Sequence, residues 1–579
     1  MRLCSFNLCS ALLAVCSCRV FSEKNDQNFL IILADDLGYG DLSCYGHPTS
    51  ITPNLDQLAN EGMRFTQFYS ASPVCSPSRS SIVTGRLPAR NGVYCANSTK
   101  PCANPTDKGC CNGVFLPGMP GGLPQSEVSF ATALKESNDW NGTTGMIGKW
   151  HLGTEEKYFP TTGHGFDYYY GVPHGLGACP CHACFAPNQT CSIKCQPNWA
   201  PCPVFENRDI VQQPANLITL SDDYVRAAKR FIQSAVEDKK QPFLLYFASH
   251  HTHSPQFAGF DTTNVTARGR FGDSLAELDR SVGSLLSFLK EYEVDSNTLV
   301  IFTSDNGPSL RNEIRGGNAG LLKCGKGTTY EGGMRVPAIF RWPGVIQPGT
   351  VQRSIASALD IFPTIINIAN RKPAVPSEGQ TVVKSIFHYS HKDLNGRTVR
   401  KKITLDGYDM IELLRENDPR SGCTGPRQGK LVYYPQFAMQ SRGLYAVRTN
   451  RTKVHFHTEG SLQSNPDNSD IDCRPSSKYS TPVPPHVYDL GVDPSENYLL
   501  EPSTEPFSHA IENAKRVREE HLKHLKWFGW PMLNNGTFDR KLWPCAKPGC
   551  SPFPQCCVID PDIVNVTEKE GRFAIQESS

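Results

Sequence analysis

The chain has 579 residues, with 58 Lys and Arg against 56 Asp and Glu and a formal charge of +2. A nucleic-acid binder would carry a basic excess, so the near-balance excludes that class, and a hydrophobic share of 39% with a charged share of 20% excludes a disordered chain. Past the first residues no apolar run approaches the ~18 residues of a membrane span, and 47 Gly with 44 Pro point to many loops on a folded core.

The chain opens with Met1-Arg2, a short apolar stretch from Leu8 to Val20, and small residues around Ser17 to Ser22. This reads as a secretory signal peptide over residues 1–22, too short for a spanning helix. It would carry away Cys4, Cys9, Cys16 and Cys18 of the 23 cysteines. The remainder is odd in number, so one can be kept for chemistry while the others pair. Clusters at residues 95–111, 179–202 and 545–557 would suggest zinc in a reducing cytosol, but behind a signal peptide they read as disulfide-stapled loops. Seven N-x-S/T sequons, at Asn97, Asn141, Asn188, Asn264, Asn450, Asn535 and Asn565, also favour export. The expected location is the secretory pathway, ending in the lysosome or outside the cell.

Three continuous apolar runs then end in polar clusters. Asn28 to Ala34 ends in Asp35-Asp36-Leu37-Gly38, and Pro242 to Ala248 ends in Ser249-His250-His251-Thr252-His253. Thr298 to Thr303 ends in Ser304-Asp305-Asn306-Gly307. Such runs fit strands buried on both faces. Between them, Asp222 to Val236 and Ser274 to Lys290 repeat apolar residues at helical spacing. The alternation predicts an α/β fold, a large mixed, mostly parallel sheet flanked by helices, over residues 23–370. Ligands of such sheets bind beyond the carboxyl ends of the strands, where all three clusters fall. After about residue 370 the pattern changes. Short strands at Leu431 to Tyr434, Leu444 to Thr449 and Lys453 to His457, and a helix from Glu505 to Leu525, predict a smaller C-terminal α+β sheet domain over 371–579 with a disulfide-rich tail.

Asp35, Asp36, Asp305 and Asn306 would meet at neighbouring strand ends. Like charges so close need neutralising, and an all-oxygen set favours Ca²⁺ or, second, Mg²⁺ over zinc. A single such pair would read as an ordinary loop carboxylate or helix cap; two in matching contexts read as a metal site. Cys75-Ser76-Pro77-Ser78-Arg79 places a proline where it suits the first turn of a helix, with Cys75 at the helix start and Arg79 one turn on. The bland reading of Cys-Ser-Pro alone is a capped helix with a buried thiol.

Cys75-Ser76-Pro77-Ser78-Arg79 with the downstream Thr84-Gly85-Arg86 resembles the signature of the sulfatase family. The resemblance continues through Ala34 to Gly38, Gly148 to Gly153, His250 to His253, Ser304 to Gly307 and Gly325 to Gly333. It covers residues 27 to 350 firmly and is strongest toward the formylglycine-dependent arylsulfatase branch. It implies an alkaline-phosphatase-like fold and a sulfuric ester hydrolase acting on sulfate monoesters, sulfated galactolipids or glycans among them. Cys75 would be converted to formylglycine by a formylglycine-generating enzyme. Asp35, Asp36, Asp305 and Asn306 would bind Ca²⁺ together with position 75. Arg79 would hold the modified side chain, Lys149, Lys326 and His253 would contact the ester, and His151 would assist the aldehyde hydrate. The resemblance also implies a pairing of Cys324 with Cys423. One departure stands out: the family places a serine near the sulfate after a Gly-x-Pro turn, and Gly171-Val172-Pro173-His174-Gly175 has none.

The physics fits that assignment. A divalent ion, two lysines and an arginine would neutralise a sulfate ester as charge develops on the leaving oxygen. An aldehyde hydrate offers one hydroxyl to attack sulfur and a second whose deprotonation expels sulfate, whereas a plain Cys or Ser would be trapped. His253 is placed to protonate the departing alkoxide. An extended Lys149-Trp150-His151 would point Lys149 and His151 to one side; His251 and His253 would share a side likewise, with His250 facing away and structural. Two other classes compete. A phosphatase or phosphodiesterase on the same kind of sheet would use Ser or Thr and histidine ligands for a second metal. A non-catalytic binding protein on this scaffold would have lost motif residues, and none of the matched ones is lost. A homo-oligomer is compatible with the sequence, which does not define the oligomeric state.

Overall fold

The apolar run Asn28–Ala34 forms strand β1, buried at every position, inside an eleven-stranded sheet. The computed structural model describes residues 26–534 and residue 542, outside 96–110, 112, 138, 177–182, 187–188, 191–201, 214, 312–315, 371–385, 393–397, 417–424 and 437–441. The expected signal peptide, the last cysteine cluster, and Asn97, Asn188, Asn535 and Asn565 lie outside the described residues; Asn141, Asn264 and Asn450 are exposed.

The strands that follow are β2 (Met63–Tyr69), β3 (Thr143–Gly148), β4 (Tyr168–Gly171), the pair β5 (Ala183–Phe185) and β6 (Gln189–Thr190), β7 (Val204–Glu206) and β8 (Asp209–Gln212). Next come β9 (Phe243–Ala248), β10 (Thr298–Ser304), β11 (Arg335–Arg341), β12 (Thr350–Gln352) and β13 (Ala356–Ser357). The large sheet runs β12-β2-β11-β10-β1-β9-β3-β4-β7-β8, with β13 also on β2. Its centre, β10-β1-β9-β3-β4, is parallel, and antiparallel pairings appear only outward, at β10–β11, β11–β2, β4–β7 and β7–β8.

The pleat of β1 divides the core. Phe29, Ile31 and Leu33 face one apolar cluster, and Leu30, Ile32 and Ala34 face the other. Helices Cys75–Thr84, Phe130–Lys135 and Ile361–Asn370 cover the first face. Helices Pro53–Asn60, Leu220–Gln233 and Gly269–Glu291 cover the second. Each large apolar side chain so buried contributes about 1.5–3 kcal/mol. Burial on both faces explains why the strands read as unbroken apolar runs rather than alternating ones.

A strand pair β14 (Ile386–Lys392) and β15 (Thr398–Thr404) precedes a four-stranded antiparallel sheet. That sheet is β16 (Lys430–Tyr433), β17 (Ala446–Thr449), β18 (Thr452–His455) and β19 (His486–Asp489). One of its faces packs Val447, Val454 and Val487 against Phe507, Ala510, Ala514 and Val517 of helix Glu505–His524. The other packs Leu431, Tyr433 and Ala446 against Tyr69 of β2 and Met334. The α/β sheet with a smaller α+β sheet is therefore the observed architecture. No helix among the described residues is long and apolar enough to cross a membrane.

Two cystines are placed, Cys95–Cys111 and Cys324–Cys473. Cys184 and Cys202 are disulfide-bonded as well. The second cystine corrects the pairing of Cys324 with Cys423, a residue outside the described ones. The turn Ile471–Cys473 lies against the Cys324 loop, where Lys323 pairs with Asp470 and Asp472. Cys44 and Cys75 are free thiols.

Buried Asp360 ties the two sheets together. Its oxygens accept from Arg427 Nε at 2.8 Å and Nη2 at 2.5 Å, and from the backbone of Ser357 and Tyr408 at 2.8 Å each. Removing one partner of a buried pair strands the other charge. Asp360→Ala is expected to destabilise the fold by about 3–5 kcal/mol, read as a lowered midpoint in equilibrium denaturation; a change within about 0.5 kcal/mol, the range of ordinary surface substitutions, would contradict this account.

Candidate active site

Four adjacent parallel strands stop at one level. Ala34 of β1 pairs with Ser304 of β10, Leu33 with Ala248 of β9, and Gly148 of β3 with Ala248. The next residues of each strand therefore emerge side by side: Asp35-Asp36, Asp305-Asn306, Ser249 to His253, and Lys149 to His151. The backbone interlocks them. Asp35 N–H donates to His251 O at 2.7 Å, Thr252 N–H returns to Asp35 O at 2.7 Å, and Asp305 N–H donates to Ala34 O at 3.1 Å.

Helix Cys75–Thr84 begins over this edge, with all ten residues buried. Cys75 Sγ lies 3.5 Å from Asp35 Oδ1, 3.9 Å from Asp36 Oδ1 and 3.3 Å from Lys326 Nζ. Arg79, one turn on, bridges the carboxylates. Its Nε and Nη2 each stand 2.9 Å from Asp305 Oδ2, Nη2 is 3.3 Å from Asp35 Oδ1, and Nη1 donates to Lys149 O at 2.8 Å. Lys149 Nζ is 2.6 Å from Asp35 Oδ2, and Lys326 Nζ is 2.7 Å from Asp36 Oδ1. Asn306 Nδ2 donates to Asp36 Oδ1 at 2.8 Å, while its buried Oδ1 has no hydrogen-bond partner among the described residues. His253 Nε2 stands 3.7 Å from Asp36 Oδ2. The ligand-type atoms of Asp35, Asp36, Cys75 and His253 all lie within 4.8 Å of one another.

Three buried carboxylates thus face three buried cations. Burial alone would raise Asp35, but Lys149, His253, Arg79 and Lys326 hold it well below the usual carboxylate range. Asp36 is likewise lowered against its burial, by Lys326 and His253. Asp305 goes the other way: burial, with Asp35 and Asp36 beside it, pushes it up to about 6 in spite of Arg79. Burial and the neighbouring Asp305 push the Cys75 thiol far up. Burial, then Lys149 and Arg79, hold the His151 ring well below the usual histidine range. Burial pushes His253 down to about 4, against the pull of Asp36.

All ten residues singled out in the sequence converge here: Asp35, Asp36, Cys75, Arg79, Lys149, His151, His253, Asp305, Asn306 and Lys326. Two orientation arguments are corrected. Lys149-Trp150-His151 is not regularly extended, since His151 has φ +59°; the two side chains still come to one side, both about 3.9–4.0 Å from where a Cβ on Gly175 would stand. His251 and His253 do not share a side. β9 ends at Ala248, so strand alternation no longer applies, and His251 Nε2 turns to Glu277 Oε2 at 2.8 Å. His250 is structural as expected, between Tyr224 at 3.2 Å and the carbonyl of His174 at 3.0 Å.

Sequence reasoning missed Glu277, a fully buried carboxylate that also accepts from Gly259 N–H at 2.7 Å. The signal was there: Asp273, Glu277 and Ser281 put a polar row on a helix whose neighbouring rows are apolar, and all three are buried. The missing serine shows as room. Among the described residues Gly175 has nothing nearer than 3.9 Å to a Cβ, so that a side chain would meet no described atom closer than this beside Lys149 and His151.

The family model "Sulfatase" matches residues 27–370, and "C-terminal region of aryl-sulfatase" matches 426–558. The chain is 40% identical to arylsulfatase A of Homo sapiens over 537 residues, covering 92% of this chain and 94% of that one. It is 33% identical to N-acetylgalactosamine-6-sulfatase of Rattus norvegicus over 549 residues, 91% of each. Among solved structures, the PsFucS1 sulfatase from Pseudoalteromonas sp. superposes with a TM-score of 0.64 at 25% identity, over 86% of this chain and 90% of that one. With likeness of this extent over both sheets, and a buried charged cluster around a thiol at the strand ends, the chain belongs to the sulfatase family and is a sulfate ester hydrolase.

Proposed function

We propose that the chain cleaves sulfate monoesters of the arylsulfatase type through a formylglycine made from Cys75, beside a divalent cation, Ca²⁺ in preference to Mg²⁺. The observation that carries this is the free Cys75 thiol at 3.3–3.9 Å from Lys326, Asp35 and Asp36. Asp35, Asp36, Asp305 and Asn306 would hold the cation, with position 75 as a further ligand. Asn306 Oδ1, buried and unpartnered among the described residues, supports this, because a buried amide oxygen without a donor is costly unless something else meets it. The all-oxygen set suits a hard cation. When bound, the cation would neutralise ester oxygens, and the hydrated aldehyde would supply one hydroxyl for transfer and one for release.

The chain's own residues do the rest. Arg79 fixes Asp35 and Asp305 relative to each other and orients the helix start. Because the three carboxylates are already matched by Arg79, Lys149 and Lys326, an added cation leaves the site net positive, ready for an anionic ester. Lys149 and Lys326 would contact the sulfuryl oxygens. His151, neutral and with a buried Nδ1 that has no partner among the described residues, would accept a proton from the hydrate. His253 would protonate the leaving alkoxide; an anionic ester beside its ring favours the charged form. The runner-up phosphatase reading needs histidines for a second metal, and His250 and His251 are turned to Tyr224 and Glu277 instead.

For substrate we propose sulfated glycans or galactolipids. The glycan arm is supported by the rat relative's name and by a relative at 25% identity solved in complex with k-i-k-neocarrahexaose. The N-terminal stretch, the exposed sequons and the cystines support a secreted or lysosomal enzyme that meets a formylglycine-generating enzyme during maturation.

The direct test is the mass of the peptide spanning Cys75, expected about 18 Da below the unmodified cysteine form, together with faster hydrolysis of an aryl sulfate than of the matched aryl phosphate. An unmodified, fully active enzyme would refute the reading. Cys75→Ser is expected to bind aryl sulfate yet lose steady-state turnover on the order of 10⁴-fold or more; turnover at the parent rate would remove Cys75 from the mechanism. Chelation should abolish activity, with Ca²⁺ restoring it, and should lower the thermal midpoint as well, since a ligand at 100 times its Kd contributes about 2.7 kcal/mol. A midpoint indifferent to chelator and Ca²⁺ would count against the cation site.

A further inference from the structure

Segment 323–333 sends one side chain into the site, Lys326, and is gripped from two sides. On the inner side Lys326 N–H donates to Pro308 O at 2.9 Å, and Gly327 N–H donates to Pro73 O at 2.9 Å, two residues before Cys75. On the outer side four holds come from the smaller sheet and its 458–480 loop. Cys324 is bonded to Cys473 across 149 residues of chain. Lys323 Nζ pairs with Asp470 at 2.9 Å and Asp472 at 3.1 Å. At the far end Glu331 Oε1 is 3.0 Å from Lys453 Nζ, both fully buried. Directly beside Lys326, a Cβ on Gly327 would come within 2.0 Å of Ser461 Oγ, so the 458–480 loop presses on this backbone itself. Ser461 N–H in turn donates to Cys473 O at 3.2 Å, which links that pressure to the cystine.

The segment closes on itself through Gly332 N–H to Lys323 O at 2.8 Å, Gly333 N–H to Tyr330 O at 3.0 Å and Thr328 N–H to Gly325 O at 3.2 Å, and depends on its surroundings for the rest. Gly325, Gly327, Gly332 and Gly333 leave it with high backbone freedom, and it forms no strand and only one short turn of helix, Glu331–Met334. Lysine is a flexible stem ending in a point charge. Yet Lys326 Nζ is held 2.7 Å from Asp36 and 3.3 Å from Cys75 Sγ. Beyond these contacts of its own, the placing of that ammonium depends on what grips the backbone on either side. The inner grip is made of hydrogen bonds, Lys326 and Gly327 N–H to Pro308 and Pro73, Gly307 N–H to Gly333 O at 3.0 Å and Tyr69 O–H to Glu331 Oε2 at 2.7 Å; the outer one adds a covalent bond, two ion-pair groups and a steric stop.

We propose that the smaller sheet is the positioning element for Lys326, acting through the Cys324–Cys473 cystine and the Ser461 contact on Gly327. This rests on the reading of Lys326 as a sulfate-binding residue. Cys473 and Ser461 touch neither substrate nor reacting atoms; they are positioning residues supplied to the catalytic sheet by the second sheet.

The test is a double-mutant cycle on the full-length, modified enzyme, with inorganic sulfate as competitive probe and an aryl sulfate as substrate. Removing the cystine (Cys324→Ala with Cys473→Ala) is expected to raise both the sulfate Ki and the KM about 10- to 100-fold, the scale of loss from a remote ~1 Å misplacement. In a Lys326→Ala background the same change should add nothing. A purely stabilising cystine would give the same loss in both backgrounds, or none in either, and would overturn the proposal. If Lys326→Ala alone leaves the sulfate Ki unchanged, the reading of Lys326 falls first, and that result is distinct from failure of the coupling. Should the cystine-free enzyme not fold, Ser461→Leu keeps the cystine and displaces only the stop on Gly327. It is expected to weaken sulfate binding in the same Lys326-dependent way, and unchanged binding in the folded Ser461→Leu enzyme overturns the proposal.

Discussion

The structure depends on the mutual neutralisation of Asp35, Asp36 and Asp305 by Arg79, Lys149 and Lys326, six charges with almost no exposure. None of these groups could be buried alone, since an isolated charge in such surroundings would shed or take up a proton. Together they let a parallel sheet end in a dry, charged floor. The strand register sets the carboxylates side by side, and the cations arrive from three other places: a helix, the next strand but one, and a glycine-rich loop. Each cation has its own support. Arg79 is fixed by helix geometry and Lys149 by β3, whereas Lys326 hangs from a glycine-rich backbone held between the catalytic sheet and the second one.

That arrangement explains which parts were legible in the sequence. β1, β9 and β10 announced themselves because burial on both faces demands unbroken apolar runs, and chemistry-bearing residues at strand ends follow from how parallel sheets present ligand sites. Pro77 marked the start of the Cys75 helix for a local steric reason. What failed was extrapolation of strand alternation past the strand. His151 in a left-handed conformation and the turn at Ser249 to His253 break the two-residue period, so side-chain directions there follow from hydrogen bonds rather than from pleat. Partners far apart in the chain were also invisible. Nothing in the spacing of Cys324 and Cys473 encodes their contact, and Glu277 meets His251 only because helix Gly269–Glu291 packs beneath the strand ends.

The histidines show how burial sorts residues that look alike in the sequence. His250 and His251 sit next to each other and both are enclosed, but each has a polar partner away from the floor, so they serve as struts. His253, two residues on, is part-exposed and faces Asp36, where its charge can respond to what binds. Three histidines in four residues thus divide into two structural groups and one that can exchange a proton.

The protonation of Cys75 bears on what position 75 can be. In many cysteine enzymes a helix N-terminus and nearby cations lower the thiol so that the thiolate attacks. Here Cys75 also starts a helix and has Lys326 at 3.3 Å, yet burial and the nearby Asp305 and Asp35 outweigh Lys149 and Lys326 and push it up. A thiol held protonated among carboxylates is a poor nucleophile, and a thiolate would add a fourth negative charge to a floor already balanced. A neutral group bearing oxygen creates no such conflict. It can lie against Asp35 and Asp36 as a donor, or share a cation with them as a ligand, and can release a proton to a neutral histidine. The surroundings that disfavour a thiolate at position 75 are thus the same ones that would suit the proposed aldehyde hydrate there.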